Sequence, residues 1–213
     1  MSENRVALLV DIVDSRLLAD REHAQTAVLD AFEAASRDIP VEVPLWATVG
    51  DEFQAVFASA AHAVRVTALM RLHFPPELDC RFGIGEGDMR EVDSGSRGPI
   101  YDGSAWWRAR EAIDRVESDQ ERVAPYSRTW LVGDAADAER VGAINAQLLL
   151  RDHLVNTMSA RARRLVAGAL SGATQGELAA REHISQSAVS QNLRRSGGAA
   201  LLAADRALAG AAA

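Results

Sequence analysis

The chain has 213 residues, 48 % of them hydrophobic and 25 % charged, which suffices for one sizeable core plus a small second module and excludes a disordered chain. A single cysteine, Cys80, excludes an internal disulfide, no apolar run reaches the roughly 18 to 20 residues that a bilayer crossing needs, and the N-terminus lacks a secretory arrangement, so a cytoplasmic protein without membrane contact is expected. The net charge of −7 is unevenly spread: residues 158–213 carry seven arginines against three acids, +4, leaving −11 for the rest, and a basic tail on an acidic body suits contact with DNA phosphates.

Arg5 to Ile12, RVALLVDI, is a nearly continuous apolar run rich in β-branched residues and predicts a buried strand ending at an aspartate. Between Asp20 and Arg37, Ala24, Ala27, Val28, Ala31, Phe32 and Ala35 recur at helical spacing and mark one apolar helix face. Pro40 and Pro44 bracket a loop, after which Leu45 to Phe57, LWATVGDEFQAVF, reads as two strands joined by a tight turn at Gly50-Asp51. Ala60, Ala63, Val64, Thr67 and Ala68 predict a helix from Ser59 to Leu72, closed by Pro75-Pro76. Cys80 to Gly87, CRFGIGEG, predicts a strand whose glycines admit a close backbone.

The polar stretch Asp93 to Pro99 predicts a loop, followed by a helix from about Ser104 to Val116 and a strand near Arg128 to Val132. From Asp134 onward only helices are expected, beginning with one long helix over Ala135 to Asn156. The order β-α-β-β-α-β-α-β is that of a ferredoxin-like core with additions. The expected fold class is therefore α/β of the α+β kind over residues 1–157, followed by an all-α module over residues 158–213.

Asp11 ends the first strand and Asp51 lies in the turn Val49-Gly50-Asp51-Glu52-Phe53, and adjacent strands of such a sheet would bring the two within reach of one ion. Two carboxylates with triphosphate oxygens suit Mg²⁺ or Mn²⁺. The plainer reading makes both aspartates caps of strand ends. The stretches VDIVDSR, TVGDEF, RFGIGEG and YDGSAWWRAR occur in the order of the signature stretches of class III nucleotidyl cyclases, and more distantly of diguanylate cyclases. Together with the C-terminal helices described below, the whole pattern resembles the SatD family of bacterial proteins.

That resemblance implies that Asp11 and Asp51 bind metal, that the Ile12 carbonyl stands beside the first of them, and that Val13, Asp14 and Ser15 form a turn cradling phosphates of a nucleoside triphosphate. It also implies that Arg110 stabilises a transition state, whereas the residues themselves equally allow a salt bridge to Glu111 or Asp114. Two positions depart from the cyclase pattern: Trp106 stands where an asparagine is placed, and Ala47 where a base-selecting residue is placed. Both departures remove polar groups that cyclases use on ribose and base, which points to binding without a standard cyclisation rate. Trp106 and Trp107 suit core or dimer packing as well as base stacking.

Thr174 to Arg195, TQGELAAREHISQSAVSQNLRR, has the rhythm of a helix-turn-helix. Leu178 and Ala179 supply the inner side of the first helix, Ile184 the turn, and Val189 and Leu193 the inner side of the second, which Ser185 would cap. Gln186, Ser187, Ser190 and Gln191 are left to contact base edges, and Arg194 and Arg195 to contact phosphates. His183 stands where such motifs often place a glycine of positive φ. A helical hairpin used for dimerisation is the alternative, and a homodimer suits both halves of the chain.

Gly83, Gly85 and Gly87 lack the spacing of a dinucleotide loop, and the five histidines show no metal-binding spacing. The reading that results is a DNA-binding transcriptional regulator with a nucleotide- and Mg²⁺-sensing domain. An enzyme making a cyclic or linked nucleotide is the alternative, and a purely structural domain is the third.

Overall fold

The computed structural model describes residues 3–18, 20–48, 51–95 and 98–211. Strand β1 (Glu3–Ile12) lies between β3 (Glu52–Phe57) and β4 (Cys80–Gly95), antiparallel to both. Val6, Ala7, Leu8, Leu9 and Val10 are all buried. Successive side chains of a strand face opposite ways, so five buried in a row require cover on both faces, and this is why the run shows no alternation.

Strand β2 (Val43–Ala47) pairs with β3 at one edge, giving the order β2-β3-β1-β4, and β6 (Thr129–Val132) adds to β4 in parallel, making the sheet mixed. Helices α1 (Arg21–Ser36) and α2 (Ala60–His73) cover one face, where Val28, Phe32, Val64 and Met70 meet Val10, Phe57 and Phe82. Both helices start on side-chain caps, Asp20 accepting from the His23 amide and Ser59 from the His62 amide. The elements thus follow the order read from the sequence through β4.

The loop expected over Asp93–Pro99 is instead the end of β4 and the start of β5 (Gly98–Asp102), which pair antiparallel. Ladder pairing is made by the backbone and needs no apolar side chain, so this ribbon leaves no hydrophobic alternation to read. Ser96 and Arg97 lie outside the described residues, as do Val49 and Gly50 of the expected turn before Asp51.

Helix α3 (Ser104–Arg122) covers the opposite face, with Ala105, Trp106, Ala109 and Ile113 against Ala7, Leu9 and Val56. It lies directly on β4. A Cβ on Gly83 would stand 2.1 Å from the Ala109 carbonyl oxygen, and one on Gly85 2.0 Å from that of Ala105. RFGIGEG and SAWWRAR are therefore the two halves of one close helix-on-strand contact, bare strand against the small residues of the helix.

After a 3₁₀ turn at Ala135–Asp137, helix α4 (Ala138–Thr157) returns to the face of α2 and seals an ionic cluster. Asp152, fully buried, accepts from the backbone amides of Arg128 and Thr129, both at 2.7 Å, and from Arg71 at 2.7 Å. Arg151 donates to the same carboxylate at 3.0 Å, to the Val64 carbonyl at 2.9 Å and to Thr67 at 3.1 Å. Each charge is thereby both paired and hydrogen-bonded, the condition under which ions persist in a core.

Four helices complete the chain: α5 (Ala160–Leu170), α6 (Gln175–Arg181), α7 (Gln186–Arg195) and α8 (Gly198–Ala211). Leu165, Val166, Leu178, Val189 and Leu193 form their core, which also takes in Leu72 of α2 and Val155 of α4. Arg65 of α2 grips Asp205 of α8 with two bonds, of 2.6 and 3.2 Å. The final helices are docked on α2. Among the described residues, no helix is long and apolar enough to cross a membrane.

Candidate functional site

Asp11 leaves β1 on the α3 side of the sheet, opposite Glu52 on β3 and opposite Arg81 on β4. Arg81 Nη1 donates to Asp11 Oδ2 at 3.1 Å, its Nε donates to Gln120 at 2.9 Å, and Glu117 stands 3.5 Å from its Nη2. Burial pushes the Asp11 pKa up, Arg81 opposes that, and the charges of Asp51 and Glu52 push it further up. The fold thus gathers Asp11, Asp51 and Glu52 into one electrostatic neighbourhood. Arg110 enters it from α3 and is paired with Glu52, not with Glu111 or Asp114.

The turn after β1 brings Ile12 to Ser15 beside this cluster. Asp14 takes a left-handed conformation (φ 52°) and a 3₁₀ turn follows at Ser15–Leu17. The Val13 amide is already engaged by the Asp79 carbonyl at 3.0 Å, while Arg21 Nε donates to the Ser15 carbonyl at 3.2 Å. Ile12, Ser15, Leu18, Arg21, Gln25 and Asp51 enclose a recess of about 90 Å³. That is well short of the few hundred Å³ of a typical small-molecule pocket, so the recess by itself is too small for a whole nucleotide.

Among the described residues, no set of three or more His, Cys, Asp or Glu side chains converges as a metal cage. Two carboxylates suit Mg²⁺, which usually takes one or two from the protein and its other oxygens from phosphate and water. Asp51 and Glu52 add negative charge beside Asp11, whose own charge is already met by Arg81. In donor type and charge, Asp11 and Asp51 fit a divalent cation.

Trp106 does not reach into this cluster. It is 9 % exposed and packs against Trp46 and Tyr101, with ring centroids 6.2 and 6.3 Å away, whereas Trp107 is 67 % exposed. Ala47 ends β2 exposed. Arg81 is the partner that sequence reasoning missed: only the β1–β4 register, a long-range pairing, sets it against Asp11.

At the other end of the chain, α6 begins on Thr174, whose side chain accepts from the Glu177 amide while Glu177 reaches back to the Thr174 amide. His183 takes φ 53° in the connection, and Ser185 caps α7 by accepting from the Ala188 amide. Val189 and Leu193 face inward, Gln186, Ser187, Gln191, Arg194 and Arg195 are exposed, and Ser190 is half-buried. Arg161 and Arg164 of α5 are tied to Glu182, at 3.6 and 2.7 Å.

A profile described as the SatD family matches residues 5–209. No curated protein matches the sequence. Among solved structures, the chain is similar to an adenylate cyclase from Trypanosoma brucei in its monomeric state, with 16 % identity, 68 % of this chain and 79 % of that chain covered, and a TM-score of 0.45. It is also similar to the guanylate cyclase domain from Catenaria anguillulae in complex with GTP, with 16 % identity, 55 % and 73 % coverage and a TM-score of 0.37. A dimeric guanylyl cyclase domain from Blastocladiella emersonii gives 16 % identity, 55 % and 74 % coverage and a TM-score of 0.38.

Proposed function

We propose, from the premise that this chain belongs to the SatD family, that it is a homodimeric DNA-binding regulator. Residues 158–213 read DNA through a helix-turn-helix, and residues 1–157 hold a nucleoside triphosphate with Mg²⁺ or Mn²⁺ as a signal. The observation that carries the DNA half is the connection between α6 and α7. His183 adopts the positive φ that a glycine usually supplies there, and this folds two short helices so that Val189 and Leu193 are covered while Gln186, Ser187, Gln191, Arg194 and Arg195 are presented outward. A residue with a Cβ holds that conformation at a cost, and the closed core around Leu165, Leu178 and Val189 offsets it.

The nucleotide half is supported by Asp11 and Asp51, whose oxygens suit the cation, and by the recess beside Ser15 and Arg21, which suits a phosphoryl group. The cation would neutralise phosphate charge. Asp11 and Asp51 would hold it, and Arg110 would reach phosphate on leaving Glu52. The test of the DNA half uses full-length protein and pooled genomic duplexes, followed by fluorescence anisotropy at rising salt. Binding that weakens steeply with salt and is impaired by Arg194→Ala is expected; binding indifferent to that substitution would leave α6 and α7 as a dimerisation hairpin.

A second reading, an enzyme converting a nucleoside triphosphate to a cyclic or linked product, is favoured by the position of Arg110 on α3 beside Glu52, the chain neighbour of Asp51. Incubation with Mg²⁺ or Mn²⁺ and each of the four nucleoside triphosphates separates it from sensing. Retention of the nucleotide without turnover is expected, and product that disappears in Asp51→Ala would replace the sensing reading with the enzymatic one.

A further inference from the structure

At the end of α2 the chain passes through His73, Phe74, Pro75 and Pro76 and faces α5 and α6 across an open cleft of about 650 Å³. The volume is within the range of small-molecule sites. Its floor is apolar, formed by Leu72, Phe74, Met158, Ala167 and Leu178, all buried. Its charged lining is Arg163, Arg164 and Arg181 against Glu182. Arg164 meets Glu182 with two bonds, of 2.7 and 2.8 Å, and Arg161 stands 3.6 Å from the same carboxylate, so Glu182 is already paired from within the helices.

Arg163 is differently placed. Its Nε is buried and donates to no group among the described residues. The side chain as a whole is half-buried and lines the cleft, so a charge-assisted bond to an anion there is open to the rest of its guanidinium. Burial, and secondarily the neighbouring charge of Arg71, disfavour the Arg163 cation, opposed by Asp79. His73 is pushed down by burial and by Arg37 and adds no charge near neutrality.

We infer that this cleft binds a small organic monoanion, a carboxylate or sulfonate held by Arg163 and Arg181, with an aliphatic or aromatic body lying on Leu72, Phe74 and Leu178. A polyanion such as a nucleotide suits it poorly, because Glu182 also lines the cleft and would repel further negative charge. The site bridges α2 to α5 and α6, so an occupant braces the final helices against the sheet domain. It stands apart from the DNA and nucleotide readings above, and neither enters its test.

Full-length protein is titrated with 8-anilinonaphthalene-1-sulfonate, an aryl sulfonate that fluoresces on apolar surface. One saturable site per chain is expected, displaced by octanoate but not by octanol at equal concentration. Arg163→Gln is expected to weaken it tenfold or more, with an unchanged circular dichroism spectrum. Arg181→Gln, at an exposed position that the fold does not need, is expected to weaken it severalfold and gives the answer even where Arg163→Gln impairs folding. Equal displacement by octanol, or affinity unaltered in Arg181→Gln, would overturn the assignment.

Discussion

Arg81 holds Asp11 across the β1–β4 register, Nη1 to Oδ2 at 3.1 Å, while Arg110 holds Glu52, the residue opposite Asp11 on β3. Asp11 and Glu52, two of the three carboxylates of the cluster, thus each have an arginine beside them. On the proposed nucleotide reading, the ligand would exchange partners at the site: the cation would take the carboxylates, and the phosphates would take the arginines. The exposed pair costs little to open, since such ion pairs are worth about 1 kcal/mol or less.

Asp11 should therefore be dispensable for the fold. Its pKa is raised by burial, so its contribution to stability is full below the ordinary value of 3.8 and is lost as pH rises through the folded value. Asp11→Asn is expected to leave stability at neutral pH within about 1 kcal/mol of wild type, or slightly above it, by urea unfolding. The same variant is expected to lose any rise in Tm that Mg²⁺ with a nucleoside triphosphate gives. A large loss of stability would make Asp11 a structural partner of Arg81 instead.

Asp152 is the opposite case. Burial alone would raise its pKa, but Arg71, Arg151 and the Arg128 amide outweigh that and the net direction is down. Its contribution is thus present above the ordinary value of 3.8 and is lost as pH falls through the folded value. Asp152→Asn leaves two arginines buried without their anion and is expected to cost about 3–5 kcal/mol at neutral pH. The variant's urea midpoint should also change less than that of wild type as pH is lowered below 3.8. A cost below about 1 kcal/mol would mean the cluster reorganises.

Local signals made much of this legible in advance. The run Arg5 to Ile12 announced a buried strand, and the apolar spacing of Ala24 to Ala35 announced α1. His183 stood out because a side chain occupied a glycine-like place, and its φ of 53° agrees. What was not legible depended on register or on distant packing. Nothing in RFGIGEG says that its glycines serve α3, nothing near Asp11 points to Arg81, and Arg71 and Asp152 are 81 positions apart in the chain. Strand β5 was hidden because ladder pairing leaves no hydrophobic trace.

The glycine strip gives a contrast within one chain. A Cβ on Gly85 would lie 2.0 Å from the Ala105 carbonyl oxygen and 2.4 Å from the Ala109 nitrogen, both backbone, so α3 would have to lift. Gly85→Ala is expected to cost about 1–3 kcal/mol or more in urea unfolding. Gly142, within α4, has nothing within 4 Å of its would-be Cβ, and Gly142→Ala is expected to stabilise by about 0.5–1 kcal/mol. Equal effects of the two changes would mean that helix propensity, and not the α3 contact, governs both.

Two exposed residues of α7 separate base reading from charge. Gln191 offers an amide able to pair with a base edge, and Arg194, in the last turn, offers a cation to phosphate. On the proposed DNA reading, Gln191→Ala should lower preference for the selected sequence while leaving binding to random duplex nearly unchanged. Arg194→Ala should weaken both alike and lower the slope of log affinity against log salt by about 1. Neither side chain is buried, so both variants should keep the wild-type Tm, and a change in affinity then reports contact with DNA. A selection from random duplexes followed by anisotropy over a salt series measures all three quantities. Identical losses for both variants on all sequences would reduce α7 to an electrostatic patch.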